Sequence, residues 1–259
     1  MNTQITSHDA TKVEALTPLT QDGSLPLALM VLTLVTGLVD AISFLGLGRI
    51  FTANMTGNVV FLGFAVAGAP GLSISRSLTS LTSFLLGAIL GGSLAVAMAA
   101  TRRRRWLVTV AVAEGGLLFA AALVLVGVDI GSVNASSGGY AAIILTALGM
   151  GLRNATVRRL AVPDMNTTVL TMTLTGLAAD SSLAEGSNPK IGRRVASVLL
   201  MFIGAAVGAT LVRFSLSLPF VLSGALVLVA AGVFATGLKP SPAADGDGPI
   251  VSLDLRRTN

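Results

Sequence analysis

Six apolar stretches, each long enough to cross a bilayer as a helix, occupy most of this 259-residue chain. They run roughly over Leu25–Leu47, Leu78–Ala100, Trp106–Val128, Gly139–Arg158, Val195–Val212 and Leu218–Leu238. A spanning helix needs about 20 apolar residues. Only 11% of the chain is charged, where an ordinary soluble domain carries about 25%. The expected fold class is therefore all-α: a polytopic transmembrane helix bundle over 25–238, between a polar tail over 1–24 and a disordered tail over 239–259. Asp9, Glu14 and Asp22 are wrong for the basic start of a signal peptide, so the first span is expected to stay in the mature protein.

Inside this apolar frame a short pattern occurs twice. Gly37-Leu38-Val39-Asp40-Ala41, followed by Asn54-Met55-Thr56-Gly57-Asn58, returns about 114 positions later as Gly151-Leu152-Arg153-Asn154-Ala155, followed by Thr168-Val169-Leu170-Thr171-Met172-Thr173. Gly87 and Gly91 are echoed at an offset of about 117 by Gly204 and Gly208. Their small-xxx-small spacing suits close helix contact. The chain thus divides into repeat one, about 25–128, and repeat two, about 139–238. A duplicated membrane unit with polar residues at matching places is the usual plan of a transporter or channel.

Two shorter, more polar segments, near Asn54–Ala67 and Asn166–Ala179, each follow the first span of a repeat. Charge bears on whether they cross, because cytoplasmic loops are basic. If neither crosses, Lys12, Arg102 to Arg105, Arg158, Arg159, Lys190, Arg193, Arg194, Lys239, Arg256 and Arg257 share one side, against Arg49, Arg76 and Arg213. If both cross, the bias vanishes. A seven-span arrangement in which only the first segment crosses keeps the bias too. Either surviving arrangement puts the C-terminus in the cytoplasm. Three spans per repeat would invert the second copy, so that two re-entrant segments approach the bilayer centre from opposite faces and meet at a polar chamber.

The candidate substrate-binding residues come from this plan. Asn54 and Asn58 share a helix face, with Thr56 beside them, and Thr168, Thr171 and Thr175 form a stripe in the second segment. They either line a polar path or act as hydrogen-bonding glue between helices. Helix N-termini there would favour an anion, or a neutral polar solute with an acceptor group. Asp40, about two turns from the end of the first span, and its counterpart Asn154 complete the set. An intramembrane carboxylate is costly and marks a functional candidate. Asp40 is read as a proton or cation acceptor, or as the partner of Arg153 in a structural ion pair. Glu114 and Arg153 are further coupling candidates, Arg153 being close enough to Arg158 to reach for the surface.

The Gly37–Ala41 run, with Phe51-Thr52-Ala53-Asn54-Met55-Thr56-Gly57-Asn58 and the second-half runs Gly151–Ala155 and Val162-Pro163-Asp164, resembles the YoaK-like family of bacterial integral membrane proteins. The resemblance covers about 25–238. It departs at Met172, where a Gly is expected, and at Arg153, where a Gln is. It implies a bacterial inner-membrane location and no particular activity.

Several function classes fall away. There is no cysteine, and the single histidine, His8, lies in the polar tail, so no metal or cofactor is implied. No intramembrane histidine, paired carboxylates or Ser-Lys arrangement suggests an enzyme, and no phosphate loop suggests ATP-driven transport. The net charge of +5 belongs to basic loops, without a nucleic-acid motif. The expected partners are the lipid bilayer and a small-molecule or ion substrate, with a homo-oligomer left open. The first reading is a small secondary transporter or channel for a small polar or anionic solute; the alternative is a non-transporting scaffold or assembly subunit.

Overall fold

A computed structural model describes residues 24–129, 131–133, 136–160, 170–181 and 191–237. The N-terminal tail, the tail from 239 onward and Thr168 lie outside them. The described residues form α1 (Ser24–Gly46), α2 (Met55–Val66), α3 (Ile74–Val124), α4 (Ser137–Leu160), α5 (Leu170–Ala179), α6 (Ile191–Val212) and α7 (Ser217–Gly237). Every described element is helical, as lipid requires of a chain that must satisfy its own backbone.

α3 contains two spans. Its 51 residues would extend about 76 Å if straight, more than twice the hydrocarbon thickness. Gly87 lies against Leu148 of α4, while Glu114 lies against Gly149 of the same α4 turn. Two points about 40 Å apart on a straight helix therefore meet neighbouring residues. Helical turns continue throughout, but α3 doubles back between its spans Ile74–Met98 and Arg103–Val124. The start of α3 is capped by Ser73, whose Oγ accepts from the Arg76 N–H at 3.4 Å.

Contacts fix the direction of each span. Residue numbers rise together where α6 packs on α1 (Gly204 on Leu34, Gly208 on Leu38) and where the first span of α3 packs on α4 (Gly87 on Leu148, Gly91 on Leu152). They oppose where the second span of α3 meets α4 (Glu114 with Gly149, Val124 with Gly138) and α7 (Gly115 with Leu228, Phe119 with Gly224). α7 opposes α1, with Leu216 near Gly46 and Phe234 near Leu29 and Leu32. Hence α1 and the first span of α3 run in opposite directions. α2 between them does not cross, and at 12 residues, about 18 Å, it is too short to do so. The Arg76 guanidinium donates to the Leu47 carbonyl at 3.1 Å, tying the two span ends together. The same logic holds α5 to one face. Among the described residues six helical segments, two of them in α3, are long and apolar enough to span, and the seven-span alternative is set aside.

The repeat is visible in burial as well as direction. In an apolar 18-residue stretch of each span, 67% and 61% of the residues are buried in the first spans of the two repeats, 22% and 22% in the second spans, and 44% and 44% in the third. α1 and α4 are central, while the first span of α3 and α6 face outward. The glycine pairs connect the repeats crosswise. α1 of repeat one packs on α6 of repeat two, and α4 of repeat two packs on α3 of repeat one.

Candidate functional site

The end of α1 turns through Gly48 and Arg49, both with positive φ (92° and 56°), and the chain heads back into the bundle. The backbone N–H groups of Ala53 and Asn54 then face the Asp40 carboxyl. Asp40 stands six residues before the end of α1, about 9 Å inside. The non-helical run before α2 therefore re-enters by about two turns, and α2 starts at that depth and runs back out.

Extended backbone at such a depth must find partners. Asn58, fully buried, provides them for Phe51: its Oδ1 accepts from Phe51 N–H at 2.8 Å and its Nδ2 donates to Phe51 O, so the amide side chain serves as a second peptide group. Ser80 Oγ also donates to Phe51 O at 2.7 Å and accepts from Asn58 Nδ2 at 3.1 Å. Gly57 leaves room for the Phe51 ring, which a Cβ would approach to 2.7 Å. Asn58→Ala should cost about 1–3 kcal/mol by orphaning the Phe51 N–H, while Phe51 O keeps its bond from Ser80; a thermal shift of the purified variant checks this, and an unchanged melting temperature would mean that water takes over the role.

The carboxylate at the head of α2 sits where a helix dipole favours negative charge. Its Oδ1 is nevertheless buried without a hydrogen-bond partner, as is the Oγ1 of neighbouring Thr52. Asp40, Asn54 and Asn58 are thus brought to one place, the start of α2, with Thr52 beside them.

The other titratable candidates form a separate centre. Arg153 is 1% exposed and pairs with Glu114, also 1% exposed. Its Nε and Nη2 donate to the two carboxylate oxygens, and its Nη1 donates to Leu32 O at 2.9 Å and Thr36 Oγ1 at 3.0 Å. The guanidinium thus makes four hydrogen bonds and joins α1, α3 and α4. Arg153 therefore neither reaches for the surface nor pairs with Asp40, the two places its sequence position suggests. Beside the pair lies a cavity of about 20 Å³, lined largely by aliphatic residues.

Thr56, Thr171 and Thr175 lie on exposed faces, and the buried threonine of α5 is Thr173. Asn154 Nδ2 donates to Met150 O of its own helix at 2.8 Å. α5 is held by Arg194, whose Nη1 donates to Gly176 O and to Asp180 Oδ2 at 2.7 Å. α2 packs on α3, and α5 on α6. Each short helix docks on the second span of its own repeat, and neither described cavity lies between them. Neither of these two cavities is the shared polar chamber expected from the sequence, and Thr168, at the start of the second segment, lies outside the described residues. Among the described residues no group of three or more His, Cys, Asp or Glu gathers as a metal site.

Sequence reasoning missed an open cavity of about 520 Å³ where α1 turns into the loop before α2. Phe44, Arg49, Phe61, Pro70 and Leu72 line it. Phe44, Phe51 and Phe61 form one cluster, with ring centroids 5.4 to 6.0 Å apart. The signal for it in the sequence is Arg49 itself, an isolated cation beside a turn glycine.

The chain matches the family described as "Protein of unknown function (DUF1275)" over residues 28–234, and it belongs to that family. It is 36% identical over 155 residues to the UPF0700 transmembrane protein YoaK of Bacillus subtilis (strain 168), a stretch covering 60% of this chain and 66% of that protein. The match thus spans just under two thirds of the relative's length. No solved structure matches.

Proposed function

We propose that this member of the family is a small secondary transporter of inverted-repeat type, without enzymatic activity. It sits in the bacterial inner membrane with its C-terminus in the cytoplasm. It moves a small polar or anionic solute, and Asp40 accepts a proton or cation during the cycle. The observation that carries the reading is the placement of Asp40. A carboxyl about two turns inside a span, at the head of a re-entrant helix, retains one buried oxygen with no partner. A purely structural cap would have both oxygens engaged, whereas an exchanging site leaves one free. The crosswise repeats add support, since alternating access commonly comes from one repeat rocking against the other. Self-association through the outward faces of α3 and α6 is compatible with this reading.

A second reading, a membrane scaffold without transport, is favoured by the dry interior around Arg153 and Glu114, where the cavity is about 20 Å³, room for one water at most.

Solute flux into liposomes holding the purified chain separates the two. Asp40→Asn keeps the shape and an acceptor oxygen for the Ala53 and Asn54 amides, so it should fold and melt near the wild type. A transporter should then lose at least about tenfold in flux, the scale expected for removing a proton-transfer group. Wild-type flux with Asp40→Asn unimpaired would remove Asp40 from the mechanism. No flux for any small anion, together with co-purification of a partner, would establish the scaffold instead.

A further inference from the structure

The cavity beside Arg49 is unaccounted for by the Asp40 site. Its volume, about 520 Å³, falls in the range of small-molecule pockets. Its walls are apolar and aromatic, and among the described residues Arg49 is the only charged one lining it. The Glu114–Arg153 and Asp180–Arg194 salt bridges lie elsewhere. Among the described residues no carboxylate lines the cavity to neutralise the guanidinium.

Arg49 is exposed, with its guanidinium beside Gly71. Arg49 takes a left-handed backbone conformation (φ 56°), unusual for a side chain of its size. Its head lies across Gly71, where a Cβ would come within 2.9 Å of Nη1, and Gly71 is itself a turn glycine with φ 78°. The two loops that flank α2 therefore close on each other through Arg49 and Gly71. Phe44 and Phe61, 6.0 Å apart between ring centroids and tilted by 44°, give the wall its aromatic surface for a flat guest. Phe44 is one helical turn beyond Asp40 on α1, so a molecule held here stands over the head of the re-entrant segment.

We infer that this cavity binds a small organic anion with a flat apolar body, Arg49 taking the carboxylate or phosphate and Phe44 and Phe61 taking the body. A planar guanidinium suits such an anion because it can donate two parallel hydrogen bonds to it. The inference deepens the transport reading by naming the solute class, and rests on that reading only for the steps after binding. An anionic lipid headgroup offers the same chemistry from a second source.

The test is a binding experiment on the full chain in an uncharged detergent, read by thermal shift, with benzoate as the probe. Benzoate should raise the melting temperature saturably, while acetate (charge without body) and benzyl alcohol (body without charge) should not. Arg49→Gln should weaken benzoate binding by about tenfold or more, the scale of one lost charge-assisted hydrogen bond, with its ligand-free melting temperature unchanged. Arg49→Lys should lie between the two. Phe61→Leu should weaken benzoate too. A benzoate shift indifferent to Arg49→Gln, or no shift from any anion, overturns the site. An Arg49-dependent shift from dihexanoylphosphatidylglycerol, with none from benzoate, overturns the free-solute assignment in favour of a headgroup. Arg49-dependent binding in a protein without flux would uphold this site while the transport reading fell; Asp40-dependent flux without such binding would do the reverse.

Discussion

Glu114→Ala should destabilise the bundle by about 3–5 kcal/mol, the usual cost of stripping one partner from a buried ion pair. The Arg153 guanidinium would keep Leu32 O and Thr36 Oγ1 but lose both carboxylate oxygens in a site that is 1% exposed. Replacing both partners together, as Glu114→Leu with Arg153→Met, should come close to neutral or even stabilise, because two desolvation penalties disappear with the attraction. Emission of the single Trp106, buried in the same α3 span, gives the unfolding readout. A single-variant loss under about 1 kcal/mol would mean that Arg153 finds another partner or that water enters the small cavity beside it. The double variant also has a functional use: a chain that folds without the pair yet loses flux would return Glu114 and Arg153 to the coupling machinery.

This pair shows where reading the sequence reached its limit. Each residue could be singled out alone, because a charge inside an apolar run is rare and costly. Their partnership could not be, since Glu114 and Arg153 stand on different spans and meet only after α3 has doubled back. Periodicity had a similar limit. It put Asn54 and Asn58 on one face of a short helix, whereas Asn54 stands at the cap just before α2 and Asn58 inside it. For α5 it marked out Thr168, Thr171 and Thr175 as a stripe, but it could not say which face of that helix turns inward, and the buried threonine is Thr173. The function of Asn58 was legible only in outline. Its amide was expected to need partners in lipid, but that the partner is the peptide of Phe51 depends on the chain turning back at Gly48 and Arg49. The spans and the duplication were legible because they depend on local hydropathy and on spacing along the chain, which tertiary contacts do not alter.

The glycines set how closely the two repeats approach each other. A Cβ added at Gly37 would lie 2.2 Å from Met201 O, and one added at Gly151 would lie 2.1 Å from Phe84 O. Even weak C–H···O contacts need about 3.3 Å between carbon and oxygen, so each substitution must push two helices apart by about 1 Å. Because backbone cannot swing aside as a side chain can, Gly37→Ala and Gly151→Ala should each cost about 3 kcal/mol, the upper end of ordinary overpacking. Gly116→Ala and Gly232→Ala are the controls. A Cβ at either meets nothing within 4 Å, and alanine in a helix interior should gain up to about 1 kcal/mol there. The inverted repeat adds a stricter requirement. Gly37 and Gly204 serve the same crossing of α1 and α6, so their alanine variants should combine to less than the sum. Gly37 and Gly151 serve two different crossings, so theirs should add, as independent sites do. Thermal denaturation of these single variants, with Gly204→Ala and the two double variants, measures all of this. A large loss at Gly37 with none at Gly151 would leave α1 locked to α6 while α4 packs loosely on α3, and the crosswise joining of the two repeats would then be wrong for its second half.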